Sequence, residues 1–416
     1  MRQPWFLAAY RASVLRRLEK VQHGGLRIIE GDSIIEMGKP DHALQVRLDI
    51  HDPRFWKELA LGGGNGAAEA YIMGWWDCND LVGLVRILCN ERQLLTKIEG
   101  GLAWLSRPAR RIAHLFNRNS RSGAARNISA HYDLGNEFFA RMLDESMMYS
   151  AAIYPHPQAS LAEAQTHKLN RICQQLDLSA DDHLLEIGSG WGGMALHAAS
   201  HFGCRVTTTT ISREQYRWCQ ERVRLAGLQD RIEILLQDYR DLQAPGKGYD
   251  KLVSIEMIEA IGYRQYQTFF ATCQHLLKPE GLALIQAITI ADQEFDRAKH
   301  HVDFIKRYIF PGSCIPSLSA LQQAMTRASD LRTVDLEDIT PHYAQTLKHW
   351  RERFHAQHHD ISAMGFSEHF MRMWDFYLAY CEGGFAERAI GDIHLLVARP
   401  EWRSKAAKGL GYARAA

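Results

Sequence analysis

His183-Leu-Leu-Glu-Ile-Gly-Ser-Gly-Trp-Gly-Gly193 decides the fold. Its first five residues have the apolar character of a short buried strand, and the glycines behind them make a turn that opens a helical run, Met194–Ser200. The alternation continues outward. Strand-like runs recur at Arg205–Thr210, Ile232–Leu236, Lys251–Ile255 and Leu282–Ile288, with helical patterns at Arg213–Leu225 and Gln265–Leu277 between them. Upstream, Leu161, Leu169, Ile172 and Leu176 fall at helical spacing. Strands that alternate with helices of about 10–15 residues imply right-handed crossovers, and so a doubly wound parallel sheet of the α/β class. After Ile290 the chain reads as a long, mostly helical insertion rich in aromatic residues, and Gly391-Asp-Ile-His-Leu-Leu-Val-Ala398 reads as a last strand.

The rest of the chain bounds the possibilities. A length of 416 residues allows two or three domains, and 49 Lys+Arg against 48 Asp+Glu leaves no excess charge for bulk binding of nucleic acid. The eight cysteines are scattered, with neither a CxxC pair nor a zinc-type Cys/His cluster, which suits reduced thiols and no metal site. No apolar run reaches the ~18 residues of a membrane span, and the charged start does not resemble a secretory leader. Residues 1 to about 95 begin with a helix, followed by strand-like runs at Leu26–Glu30 and Ala43–Asp49. In the segment Leu61-Gly-Gly-Gly-Asn-Gly66 the glycines predict a structural loop, since no Lys-Ser/Thr follows as in a phosphate-binding loop. Between 100 and 131 there are six arginines (107, 110, 111, 118, 121, 126) and no acid, interleaved with Trp104, Leu105, Ile112, Leu115 and Phe116. Arginine stems cover apolar surface while their heads reach phosphate, so this stretch suits an anionic membrane surface. A solvated linker or a subunit contact is the plainer alternative.

Glycine spacing selects the ligand of the central turn. A dinucleotide site wants G-x-G-x-x-G and an acid about 20 residues on, for the ribose. Here the glycines fall at 188, 190 and 192, and the second strand ends in Thr207-Thr-Thr-Thr210 without an acid. Glu186, two residues before the first glycine, is instead the mark of S-adenosylmethionine-dependent methyltransferases; it would order the loop or approach the methionine amine.

Further segments occur in a fixed order along the chain: His131-Tyr-Asp-Leu-Gly-Asn-Glu-Phe-Phe139, Met147-Met-Tyr-Ser150, Thr210-Ile-Ser-Arg-Glu-Gln215, Gln237-Asp-Tyr-Arg240 and Ser254-Ile-Glu-Met-Ile-Glu-Ala-Ile-Gly262. Phe304-Ile-Lys-Arg-Tyr-Ile-Phe-Pro-Gly312, Phe376-Tyr-Leu-Ala-Tyr-Cys381 and Gly384-Phe385 follow. Together they resemble the cyclopropane-fatty-acid synthase family, whose members transfer a methylene unit from S-adenosylmethionine to the cis double bond of a phospholipid acyl chain. Ala68-Glu-Ala-Tyr-Ile-Met-Gly-Trp-Trp-Asp77 is similar to part of the small domain that bacterial members carry first. The resemblance implies a methyltransferase sheet with a helical lipid-site insertion, plus a small N-terminal α+β domain. It sets boundaries at 1–99 for a lipid-handling and dimerisation domain, 100–128 for a basic linker and 129–416 for the catalytic domain. It also implies a homodimer in the cytoplasm, acting peripherally on phospholipid acyl chains at the inner face of the membrane, with no nucleic-acid partner.

Carried over by motif, Tyr149, Ser150, Gly188 and Gly190 hold the methionine part of the cofactor, Gln215 reaches the ribose, and Asp238 and Tyr239 flank the adenine. The alkene's attack on the sulfonium methyl leaves a carbocation, and a base must then remove a proton. The family resemblance implies a bound bicarbonate as that base, held by a Glu, a Tyr and backbone amides. Glu259 and Tyr343 fit the Glu and the Tyr; Glu256 is read as a helix cap. Two positions depart from the ring-forming pattern, with Ala151 in place of Cys and Gln286 in place of His. The Ala151 N–H remains a donor, and Gln286 still donates but carries no charge. A methyl- or methylene-branched product is therefore an alternative to the cyclopropane, and a lipid-binding homologue without catalysis is a third reading. Tyr308, Phe310, Trp374, Phe376, Tyr377 and Tyr380 are candidates to line an acyl tunnel, though buried aromatics mostly pack; His131, His167 and His394 are read as core.

Overall fold

The structure, a computed structural model, describes residues 5–91 and 134–404. The basic stretch at 100–131 and His131 lie outside them. The described residues fall into two compact units, both discontinuous in sequence: 5–91 with 300–311 and 343–390, and 134–299 with 312–342 and 391–404. This division differs from boundaries at 99 and 128, because much of the helical insertion groups with the N-terminal segment.

The first unit opens with α1 (Trp5–Leu18), β1 (Gly25–Glu30), β2 (Ser33–Gly38), β3 (Gln45–Ile50), α2 (Arg54–Ile72), β4 (Trp76–Cys78) and α3 (Leu81–Asn90). The strands form a sheet in the order β2-β1-β3-β4, with β1 parallel to β3 and the other pairs antiparallel. In β3, Val46, Leu48 and Ile50 alternate into the core, the period-two pattern of a strand with one wet face. The loop expected at 61–66 is instead part of α2. The helix is interrupted only at Gly63 (φ 58°, ψ −137°), a kink that a residue with a side chain would strain.

The second unit contains α4 (Asn136–Met142), α5 (Leu161–Gln175), β5 (His183–Ile187), α6 (Gly193–Phe202), β6 (Arg205–Thr210), α7 (Arg213–Leu225), β7 (Ile232–Leu236) and β8 (Tyr249–Ile255). There follow α8 (Ile258–Ile261), α9 (Tyr266–Leu276), β9 (Leu277–Ile290), α10 (Asp292–Ala298), α11 (Leu318–Ala328) and β10 (Arg332–Asp338). With β11 (Ile390–Ala398) they make a seven-stranded sheet in the order β10-β11-β9-β8-β5-β6-β7. The pairs from β7 through β9 are parallel, and β10 runs antiparallel to β11. The doubly wound sheet read from the sequence is thus present. β10 is an addition, a strand in a stretch expected to be mostly helical; six of its seven residues are exposed, so it lacks the apolar signature.

One apolar layer, with Phe269, Phe270 and Leu276 of α9, covers one part of the sheet; another, with Leu169, Ile172, Met194 and Ala198 of α5 and α6, covers a second. The chain leaves β5 toward β6 and β7 on one side, then returns to β8 and β9 on the other. The crevice at the carboxyl ends of β5 and β8 is therefore the topological switch point, where open α/β sheets bind ligands.

Three helices complete the chain: α12 (Thr340–Ala356), α13 (His358–Ala363) and α14 (Glu368–Ala386). Within the first unit the aromatic candidates pack on one another. Phe376 lies 5.0 Å from Phe304, stacks on Tyr380 at 6.2 Å, and Trp374 meets Tyr377 edge-on at 5.1 Å.

Candidate functional site

β5 delivers the glycine turn to the switch point. The Gly188 and Ser189 N–H groups both donate to the Thr209 carbonyl, at 3.1 and 2.9 Å, which ties the turn to the end of β6. Gly190 has φ 49°, and a Cβ there would meet nothing within 4 Å. The glycine is thus required by the backbone, and the turn stays open to an approaching ligand. Glu186 sits behind the turn, 2 % exposed, accepting from Thr208 Oγ1 at 2.6 Å. It orders the ends of β5 and β6, and burial pushes its carboxyl up to about 8.

The segment Ser146–Ala151 lies against this turn. Arg222 of α7 donates to the Ser146 carbonyl at 3.0 Å and to the Trp191 carbonyl at 2.9 Å, clamping the two together. A Cβ on Gly193 would come within 2.6 Å of the Ser146 carbonyl oxygen, so only glycine allows the approach. Trp191 in turn donates to Asn136 at 2.7 Å, and its ring lies 4.9 Å from Phe139, itself 5.2 Å from Tyr149. Ser150 is buried and accepts from Lys168 Nζ at 2.7 Å. Lys168 is fully buried; burial pulls its ammonium down to about 8, opposed by the charges of Glu256, Asp144, Asp392 and Glu186.

The candidates for the ribose and adenine lie at the ends of β6 and β7. Gln215, in the first turn of α7, accepts from Thr210 Oγ1 at 2.9 Å and is buried. Asp238 accepts from Arg240, whose Nε lies at 2.9 Å. Tyr239 packs its ring 5.9 Å from Phe269 in the core, and its Oη is buried with no partner among the described residues. These positions fit a nucleoside-bearing ligand at the turn: an open glycine backbone, polar groups at three successive strand ends and a phenol without a partner among the described residues.

A second cluster of polar groups is built by β8, β9 and β11. Gln286 of β9 is fully buried; its Nε2 donates to Glu256 Oε1 at 2.8 Å, Asp392 Oδ2 at 3.0 Å and, more weakly, the Ala151 carbonyl at 3.4 Å. The Ala151 N–H donates to the same Glu256 Oε1 at 2.8 Å. Glu256 is therefore no helix cap. It stands just beyond β8 with φ 46°, an uncommon conformation for a residue with a side chain, and its own N–H is tied to the Gln286 carbonyl at 2.9 Å. Glu259, 7 % exposed in the first turn of α8, accepts from the Ile288 N–H at 2.5 Å. Its Oε2 is buried without a partner among the described residues.

Burial, reinforced by the Glu256 charge, raises the Glu259 carboxyl to about 8 and holds that of Asp392 well above its usual range. His394, 1 % exposed, lies between Gln175 Oε1 at 2.9 Å and Gln286 Oε1 at 3.3 Å. Burial pulls it down to about 3, so it is neutral. It remains a buried support of the site, and His167 is half-buried on α5. Tyr343 belongs to the first unit, stacked on Phe385 at 4.2 Å and edge-on to Trp350 at 6.1 Å.

Motif reading missed Lys168, Asp392 and the placement of Glu256. Asp392 had a signal: an acid inside the apolar strand β11 asks for a partner. Lys168 had none, since a lysine on a helix is ordinarily solvated. A bicarbonate does not fit these residues. The Ala151 and Ile288 N–H groups and the Gln286 amide already serve carboxyl groups of the chain, and three such groups border the place.

Comparison with known proteins agrees with this geometry. Residues 119–395 match the model of the mycolic acid cyclopropane synthetase family. A tuberculostearic acid methyltransferase of Mycobacterium tuberculosis is 37 % identical over 91 % of this chain and 89 % of its own. The cyclopropane-fatty-acyl-phospholipid synthase of Escherichia coli is 38 % identical over 82 % of this chain and 85 % of its own. Among solved structures, the mycolic acid cyclopropane synthase CmaA1 complexed with SAH and CTAB superposes with a TM-score of 0.61 at 28 % identity, covering 66 % of this chain and 98 % of its own. With its sheet, its glycine turn and this match, the chain belongs to the cyclopropane synthetase family of S-adenosylmethionine-dependent methyltransferases.

Proposed function

We propose that this protein methylates a carbon of the cis double bond in an unsaturated phospholipid acyl chain, and that the product is an open methyl- or methylene-branched chain. One observation carries the reading: at the switch point an open glycine turn faces the same crevice as an oriented carboxylate, held by the Ala151 N–H and Gln286. Such a crevice suits a reaction that creates a cation and must then lose a proton.

S-adenosylmethionine supplies, when bound, a methyl group on a positively charged sulfur. Tyr149, Ser150, Gly188 and Gly190 would hold its methionine part, Gln215 the ribose, and Asp238 and Tyr239 the adenine. Glu186 holds the turn in register through Thr208, and Lys168 fixes Ser150. Ala151, Ile258 and Ala287 are buried beside these groups. Ring closure to a cyclopropane is the second reading, favoured by the retained Glu259 and Tyr343. The branched product is favoured by Ala151 and Gln286, where the chain departs from ring-forming members.

The test is to incubate the purified protein with deuteromethyl-labelled S-adenosylmethionine and vesicles of a monounsaturated phospholipid, then fragment the lipid by mass spectrometry. Label on an open branch is the expected result. Label in a three-membered ring replaces it by the second reading, and lipid without label overturns both.

A further inference from the structure

Three carboxyl groups meet in this second polar cluster, and they are not equivalent. Glu259 and Asp392 are buried, whereas Glu256 is only partly buried. Glu256 receives two donors on one oxygen, the Ala151 N–H and Gln286 Nε2, each at 2.8 Å. Two such bonds fix a carboxylate's direction. Its backbone is held at φ 46° to put it there, a cost that folding tolerates only where the surroundings demand the position. These donors are also among those a small oxyanion would need.

Resting on the methyltransferase reading above, we infer that Glu256 is the built-in base of the reaction, standing where a bound oxyanion would otherwise serve. The alkene π pair forms a bond to the sulfonium methyl carbon, and the carbon–sulfur bond breaks with its electron pair left on sulfur. The acyl chain then carries one positive charge. The Glu256 carboxylate removes a proton from a carbon next to the cation, and the freed C–H pair becomes the π bond of a carbon–carbon double bond, which leaves an open, branched chain. Glu256 ends as a neutral acid and returns its proton to water as the product leaves. Burial, with the Glu256 charge, raises the carboxyls of both Glu259 and Asp392. Lys168 supplies the compensating positive charge.

The experiment measures methyl transfer to monounsaturated phospholipid vesicles in carbonate-depleted buffer, with and without added sodium bicarbonate, for the wild type, E256Q and E256G. Glutamine keeps the shape, and glycine relieves the backbone, so both variants keep the fold. Affinity for S-adenosylmethionine, by calorimetry, is expected to stay within about threefold of wild type in both. Wild-type turnover is expected to be indifferent to bicarbonate, and both variants to lose about 100-fold or more in turnover. In E256G the freed Ala151 and Gln286 donors are expected to take up bicarbonate or formate and restore about tenfold of the lost rate. Wild-type activity that falls with carbonate removal, E256Q turnover near wild type, or loss in E256G without rescue each overturns the base role. A wild type that labels no lipid in any buffer overturns the methyltransferase reading itself.

Discussion

Glu259 illustrates how burial sets chemistry at the scale of a residue. One oxygen takes the Ile288 N–H, the other is buried without a partner among the described residues, and the Glu256 charge is near. Its carboxyl stands near 8 in the fold against 4.5 for the free side chain. The folded state therefore holds this proton more tightly than the unfolded chain. The stability this contributes is complete below about 4.5 and is lost as the pH rises through about 8. In E259Q the contribution disappears. Urea unfolding of wild type and E259Q from pH 5 to 8.5 should show the wild type losing stability relative to the variant by up to ~4 kcal/mol as pH rises. A difference that does not change with pH would show that Glu259 stays ionised. The motifs around 254–262 made both glutamates visible, but their roles rested on groups from β9, β11 and the loop at 151. Sequence spacing does not relate segments that far apart.

Elements were legible where one period dominates. β5, β6, β7 and α7 lie where their sequence patterns put them, and β5, buried on both faces, reads as a nearly continuous apolar run. β10 was not legible, since an exposed edge strand carries no such run. The glycines of α2 misled in another way: tertiary packing holds the segment helical, and only Gly63 breaks it. A second glycine matters through contact. At Gly383 of α14 a Cβ would lie 2.7 Å from Val85 Cβ of α3, far inside van der Waals contact. The helix permits alanine there in conformation, so the cost of G383A is overpacking alone, about 1–3 kcal/mol. Thermal unfolding should show a lower midpoint for G383A, and an unchanged midpoint would mean the two helices separate freely.

At the scale of the whole molecule the question is how a chain of this kind reaches a lipid. No helix among the described residues is long and apolar enough to cross a membrane. The acid-free stretch at 100–131, outside the described residues, carries six arginines in a chain whose net charge is only +1. Binding at a membrane surface should then be electrostatic. Co-flotation with anionic vesicles, absent with neutral ones and reversed at roughly 0.5 M salt, is the expected outcome. Flotation that ignores lipid charge and salt would remove the arginines from the account.

By itself the sequence determined the parallel sheet, the glycine turn and the cofactor class, because periodicity and short motifs are local and survive in a one-dimensional reading. Only the tertiary structure decided which carboxylate the Ala151 N–H and Gln286 hold, how Lys168 balances it, and where the compact units divide. Those outcomes depend on hydrogen bonds and desolvation between distant segments, as in the contact of Gln286 with Ala151, 135 residues apart. Such terms exist only once the chain has folded.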